Sequence, residues 1–247
     1  RVDVAMPDEF FDSIRGRGDK NEKLPVIYTV DLPGLDLATY TALQMLRLGR
    51  EIPPVILVSV GHHFDSGLEW VQHRRGDLTP TYVEGANRPE DLQPGGADKY
   101  LSFIKNEVKP MIRDAYRVGD DETLAGFSLG GLFVLHVLFK HTDDFDRYMA
   151  GSPYLVWDDA VIFQEEAAYA ETHDDLDKKV FISVGSLEEA NFPEMVSNAD
   201  KMAQRLRDRN YTNLSLTHHV FDNETHTSVI PATFSRGLKE LFREDIE

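Results

Sequence analysis

The sequence predicts an α/β protein built on a doubly wound, mostly parallel sheet flanked by helices. Two continuous apolar runs of strand length, residues 25–30 and 55–60, are bounded by turn formers, as strands buried on both faces should be. The segment 100–116 carries Leu101, Ile104, Val108, Met111, Ile112 and Ala115 at three- and four-residue spacing, the mark of an amphipathic helix. Runs of the two kinds alternate along the chain without repeats or low-complexity linkers. Strands separated by helices call for right-handed crossovers and parallel neighbours.

The elements follow in order. A helix over 39–50 sets Leu43, Met45 and Leu46 on one side. A polar stretch from Gly61 to Gly96 is too long for a plain connection and reads as a functional loop. After the helix at 100–116 come a strand entering Gly126, a helix from Leu132, a strand near 145–150 and a helical insertion near 158–172. A strand at 180–184, a helix at 193–210, a strand at 214–221 and a terminal helix from Pro231 complete the chain. The 247 residues fit one domain, 1–247, long enough to bury a substantial core.

Composition narrows the function. A formal charge of −17 disfavours nucleic acid and anionic membranes, both of which need basic clusters. No apolar stretch reaches membrane-spanning length, and the N-terminus has no basic-then-apolar signal pattern. The chain begins without Met, so removal of a leader is left open, and with it a cytoplasmic or a secreted location. With no cysteine there is no disulfide framework, no thiol nucleophile and no thiolate zinc site.

The most informative segment is Gly126-Phe127-Ser128-Leu129-Gly130-Gly131, between the strand-like 123–125 and the helix-like 132–135. Glycines flanking a central serine suit a sharp strand-to-helix turn, where a nearby Cβ would clash. Such a nucleophile elbow holds the Ser128 hydroxyl clear of the backbone, and the N–H of Leu129 can meet a developing oxyanion. The chemistry expected is acyl transfer through a serine ester, which requires a base.

In a doubly wound sheet, function gathers at the carboxyl ends of the strands. The strand at 180–184 runs into Gly185-Ser186-Leu187-Glu188-Glu189, and the strand at 214–221 into Asp222-Asn223-Glu224-Thr225-His226. The order Ser128, Glu188, His226 is the nucleophile–acid–base order of the α/β-hydrolase fold, here with a short helical insertion after the sixth strand. His226 is the expected general base. His218 and His219 lie within a strand, His136 and His141 read as packing or surface residues, and His62 with His63 is the second choice. Glu188 is favoured as the acid over the adjacent Glu189, with Asp222 an outside candidate. A second oxyanion donor is expected after residues 26–30, and since Pro33 has no N–H, Leu32 is the candidate. His62, Trp157 and Tyr154 are candidates for the substrate pocket, with Trp70 as a further aromatic.

With these residues in place, the chain resembles the Putative esterase family of α/β-hydrolases, which holds enterochelin (siderophore) esterases, feruloyl esterases, S-formylglutathione hydrolases and mycolyltransferases. The resemblance is carried by residues 24–31, by Arg75-Gly76-Asp77-Leu78-Thr79-Pro80-Thr81 and by residues 125–133. Phe145-Asp146-Arg147-Tyr148 with Gly151-Ser152-Pro153, and His226-Thr227-Ser228-Val229-Ile230-Pro231, extend it. The second segment and the last are closest to the enterochelin-esterase-like branch. The resemblance implies Ser128 as nucleophile, His226 as base and an acid within 185–189. Feruloyl-type members carry an aspartate three residues after the strand-ending glycine, which corresponds to Glu188. Siderophore-branch members can lack a well-placed acid, leaving a Ser–His dyad as an alternative. Many members have Asp-Gly where this chain has Asp31-Leu32.

The expected activity is cofactor-free, metal-free hydrolysis of a small-molecule ester, short-chain or siderophore-type. Acyl transfer to a sugar or lipid hydroxyl is the alternative within enzymes, and a binding protein on a hydrolase scaffold is the alternative outside them. A homo-oligomer is left open.

Overall fold

A computed structural model describes residues 1–6, 23–31, 35–62, 66–84 and 93–243, without the side chains of 35, 36 and 68. Among them are seven strands: β1 (Val2–Ala5), β2 (Leu24–Val30), β3 (Ile56–Val60), β4 (Val118–Phe127), β5 (Arg147–Gly151), β6 (Lys179–Gly185) and β7 (Ser215–Phe221). They form one sheet in the order β1-β3-β2-β4-β5-β6-β7. Every pairing is parallel except β1 with β3, an antiparallel edge that the apolar pattern of four residues does not announce.

The helices are α1 (Leu35–Leu48), α2 (Gly67–Leu78), α3 (Ala97–Phe103), α4 (Lys109–Ala115), α5 (Leu129–Lys140), α6 (Ile162–Ala170), α7 (Met195–Arg209) and α8 (Ile230–Leu241). A π-helical stretch, Ile104–Val108, joins α3 to α4. The polar stretch read as a loop at 61–96 contains α2, whose start is capped by Ser66 accepting from the Glu69 N–H. Its charged sequence, with little apolar periodicity, is why it reads as loop. The insertion near 158–172 is α6, preceded by a helical turn at Trp157–Ala160. It follows β5, the fifth strand among the described residues.

The two sides of the sheet bury separate cores. Along β2, Val26, Tyr28 and Val30 face a large cluster with Leu101, Ile104, Leu132, Phe133 and Met202, while Ile27 faces a smaller one with Leu43, Leu46, Phe234 and Leu238. This period of two within an unbroken apolar run is what a strand covered on both faces requires. Nearly all of α5 is buried, from Leu129 to Phe139. An apolar helix in the middle of the large core fixes the strand-to-helix turn at its head.

Candidate active site

Four non-glycine residues with positive φ stand just beyond strand ends: Asp31 after β2 (98°), Ser128 after β4 (60°), Ser152 after β5 (37°) and Asn223 after β7 (58°). Strain of this kind, held by the surrounding structure, is typical of functional sites. All four lie at the carboxyl end of the parallel sheet.

Ser128 sits at φ 60°, ψ −116°, between β4 and α5. Its backbone is pinned from both sides: its N–H donates to the Gly151 carbonyl at 2.9 Å, and its carbonyl accepts from Tyr154 (3.0 Å) and Leu132 (3.0 Å). The glycines are steric necessities. A Cβ on Gly126 would lie 2.4 Å from the Gly130 carbonyl oxygen, and one on Gly131 would lie 2.8 Å from that of Gly151. The Leu129 N–H heads α5, where no intrahelical acceptor exists.

The Glu188 Oε2 atom accepts from His226 Nδ1 at 2.6 Å. Its Oε1 atom accepts from the Ser152 hydroxyl and from the Gly185 N–H, each at 2.6 Å. The Glu188 side chain is fully buried, while that of His226 keeps 17% of its surface exposed. Glu188 opens a 3-10 turn directly after β6, so its carboxylate folds back onto the end of its own strand. A Cβ on Gly185 would meet the Glu224 carbonyl oxygen at 2.4 Å, which is why the two loops pass so closely there. The imidazole lies between Phe127 and Phe192, with ring centroids 4.9 and 4.5 Å away. Its Nδ1 is thereby held by Glu188, while its Nε2 has no hydrogen-bond partner among the described residues, Ser128 Oγ included.

The other acid candidates are engaged elsewhere. Glu189 is exposed and accepts from the Val196 N–H, the Ser197 N–H and the Ser197 hydroxyl, capping α7. Asp222 is exposed and accepts from Asn223 Nδ2.

A family model, described as "Putative esterase", matches residues 1–229. The chain belongs to this family. The siderophore triacetylfusarinine C esterase of Aspergillus fumigatus is 30% identical over 98% of this chain and 88% of its own. The ferri-bacillibactin esterase BesA of Bacillus subtilis is 28% identical over 90% of this chain and 80% of its own. Among solved structures, the BES protein from Bacillus cereus superposes with a TM-score of 0.80 at 27% identity, covering 98% of this chain and 90% of its own. The fold is that of the α/β-hydrolases, and the protein is a carboxylic ester hydrolase. No helix among its described residues is long and apolar enough to cross a membrane.

One feature of this esterase that sequence reasoning missed is an ion pair beside the elbow. Arg74 of α2 donates to both carboxylate oxygens of Asp31, from Nε at 2.6 Å and Nη2 at 2.5 Å. The Gly130 N–H faces the same carboxylate. Burial pushes the Asp31 carboxyl above its ordinary value, against the pull of Arg74. The Arg74 guanidinium also lies over the Trp70 ring, 4.6 Å from its centroid. The available signal was an aspartate ending a core strand, but its partner is 43 residues away.

The remaining candidates of the esterase scatter. Leu32 and His63 lie outside the described residues. Tyr154 is half-buried and touches Ser128 through its backbone. Trp157 donates from Nε1 to the Thr81 carbonyl at 3.3 Å, tying the insertion to the segment after α2. His62 pairs with Asp77 at 2.5 Å and lines a separate open cavity of about 600 Å³, with Tyr100 and Phe103, that holds none of Ser128, Glu188 or His226.

Proposed function

We propose that the protein is a serine esterase that acts through an acyl-enzyme on Ser128, with His226 as base and Glu188 as the acid behind it, within one esterase domain. The observation that carries the reading is the 2.6 Å contact between a fully buried Glu188 and His226 Nδ1, beside a serine on a strained elbow. Ser128 Oγ attacks the ester carbonyl as His226 Nε2 takes its proton. The Leu129 N–H stabilises the oxyanion, and the imidazolium protonates the departing alcohol. Water then deacylates the enzyme with His226 again as base. Glu188 holds one tautomer of the imidazole and offsets its charge. A gap between nucleophile and base is common before substrate binds.

For the substrate, we propose small esters, siderophore-type esters foremost, supported by the named activities of two relatives that align over most of this chain. Ser128→Ala is expected to lower turnover of p-nitrophenyl acetate by about 10⁴-fold or more and to abolish labelling by a fluorophosphonate. Retained labelling or activity would remove Ser128 from the mechanism. A panel of p-nitrophenyl esters from short to long chains, run beside feruloyl and catecholate esters, tests the substrate. A catecholate ester with the highest kcat/KM is the expected outcome.

A further inference from the structure

A second cluster of imidazoles and carboxylates lies away from the elbow, at the far end of α5. His136 Nε2 and His141 Nε2 both approach Asp98 Oδ1, at 3.1 and 2.8 Å. These three donor atoms all lie within 4.8 Å of one another. From this convergence we infer a binding site for one divalent first-row transition ion of the zinc type, liganded by His136 Nε2, His141 Nε2 and the Asp98 carboxylate.

Three features support the site. The donor set, two imidazoles and a carboxylate, is one that zinc and its neighbours accept, with a fourth position left for water. In a tetrahedral zinc site with bonds near 2 Å, ligand atoms stand about 3.3 Å apart. The two His–Asp separations already fall close to that spacing, and the two imidazole nitrogens lie within 4.8 Å of each other. Second, the other nitrogen of His136, Nδ1, is held at 2.8 Å by Glu165 Oε2 of α6. A carboxylate behind a ligating imidazole is the usual outer partner at metal sites, where it fixes which nitrogen faces the ion. Third, the cluster is buried on one side and open on the other. The side chain of His136 is 3% exposed and that of Asp98 70%, giving an anchored ligand and an entry path. The strongly negative chain favours cations near its surface.

The ion replaces two hydrogen bonds by three coordinate bonds and ties the C-terminal end of α5 to α3 directly and to α6 through Glu165. Its role is structural, since the catalytic reading uses none of these residues. The test is calorimetric titration of Zn²⁺ into the tag-free chain after chelator treatment, with Co²⁺ absorption as a second readout. One Zn²⁺ per chain is expected, with a rise in Tm of roughly 5 °C at a hundredfold excess over Kd. Tetrahedral d–d bands are expected with Co²⁺. Asp98 is exposed and His141 partly so, and His141→Ala and Asp98→Asn should fold normally. Each is expected to weaken binding at least tenfold and to leave ester hydrolysis unchanged. Glu165→Gln is expected to weaken it by about tenfold. Absence of saturable binding, or equal affinity in wild type and both surface variants, overturns the site and leaves a plain hydrogen-bonded network.

Discussion

Two clusters in this esterase join histidines to carboxylates, and they differ in what they leave open. At the carboxyl end of the sheet, Glu188 takes one nitrogen of His226 and leaves the other unpartnered among the described residues. At the far end of α5, both nitrogens of His136 meet carboxylates, Glu165 on one side and Asp98 on the other. An imidazole held on one side can take a proton from a nucleophile; one held on both sides is a fastener. Burial does not separate them, since His136 is the more buried ring. What separates them is the number of carboxylates and the neighbour: aromatic rings around His226, further polar groups around His136.

The sharpest way to break this contrast is to remove one ring from each cluster. His226→Ala should lower kcat by about 10⁴-fold or more, whereas His141→Ala should stay within about twofold of wild type on the same p-nitrophenyl ester. A comparable loss in both would erase the distinction. Replacing the carboxylates comes next. Glu188→Gln should lower kcat by about 10³- to 10⁴-fold, because an amide next to Nδ1 favours the wrong tautomer. Glu165→Gln should leave kcat near its original value, and a full-strength Glu188→Gln enzyme would mean a working Ser–His dyad.

Ser152→Ala sharpens the comparison by removing one of the two donors on Glu188 Oε1. Leaving a buried oxygen short of a partner should cost about 1–3 kcal/mol of stability by denaturant titration, with a loss of about tenfold in kcat. The smallest effect belongs to Glu189. Its contacts with Ser197 and Val196 outweigh burial and hold its carboxyl below the ordinary value. A lowered folded-state value stabilises above the usual carboxylate range, and that stability is lost as pH falls through the folded value. Glu189→Gln should therefore lower Tm slightly at pH 7, with the difference from wild type vanishing in acid, and leave kcat intact.

The parts of the candidate site legible in the sequence are those set by short-range rules. Ser128 announces itself because the elbow needs glycines at fixed offsets, and Glu188 and His226 because both follow core strands. The sequence favours Glu188 over Glu189 but does not show which carboxylate faces His226. The structure separates them by a 3-10 turn that points one carboxylate back at β6 and the other at the head of α7. Ser152, the Gly185 N–H and the Arg74–Asp31 pair were invisible because each depends on which strand ends become neighbours, a property of sheet order. Helix α2 was missed for a different reason: its charged sequence has no apolar stripe to reveal it. The pairing of His136 and His141 with Asp98 was hidden likewise, since two helices distant in sequence must pack before the groups meet.

The backbone of Ser128 is stapled to Gly151 and Tyr154, so the proposed nucleophile is located by β4, α5 and the turn after β5. The insertion at α6 is fastened through Trp157 to the segment after α2 and through Glu165 to His136, on α5 itself. One helix thus carries the proposed nucleophile at its head and a mooring for the insertion near its other end. A change in the insertion that disturbs the Glu165–His136 contact is therefore felt along the element that positions Ser128.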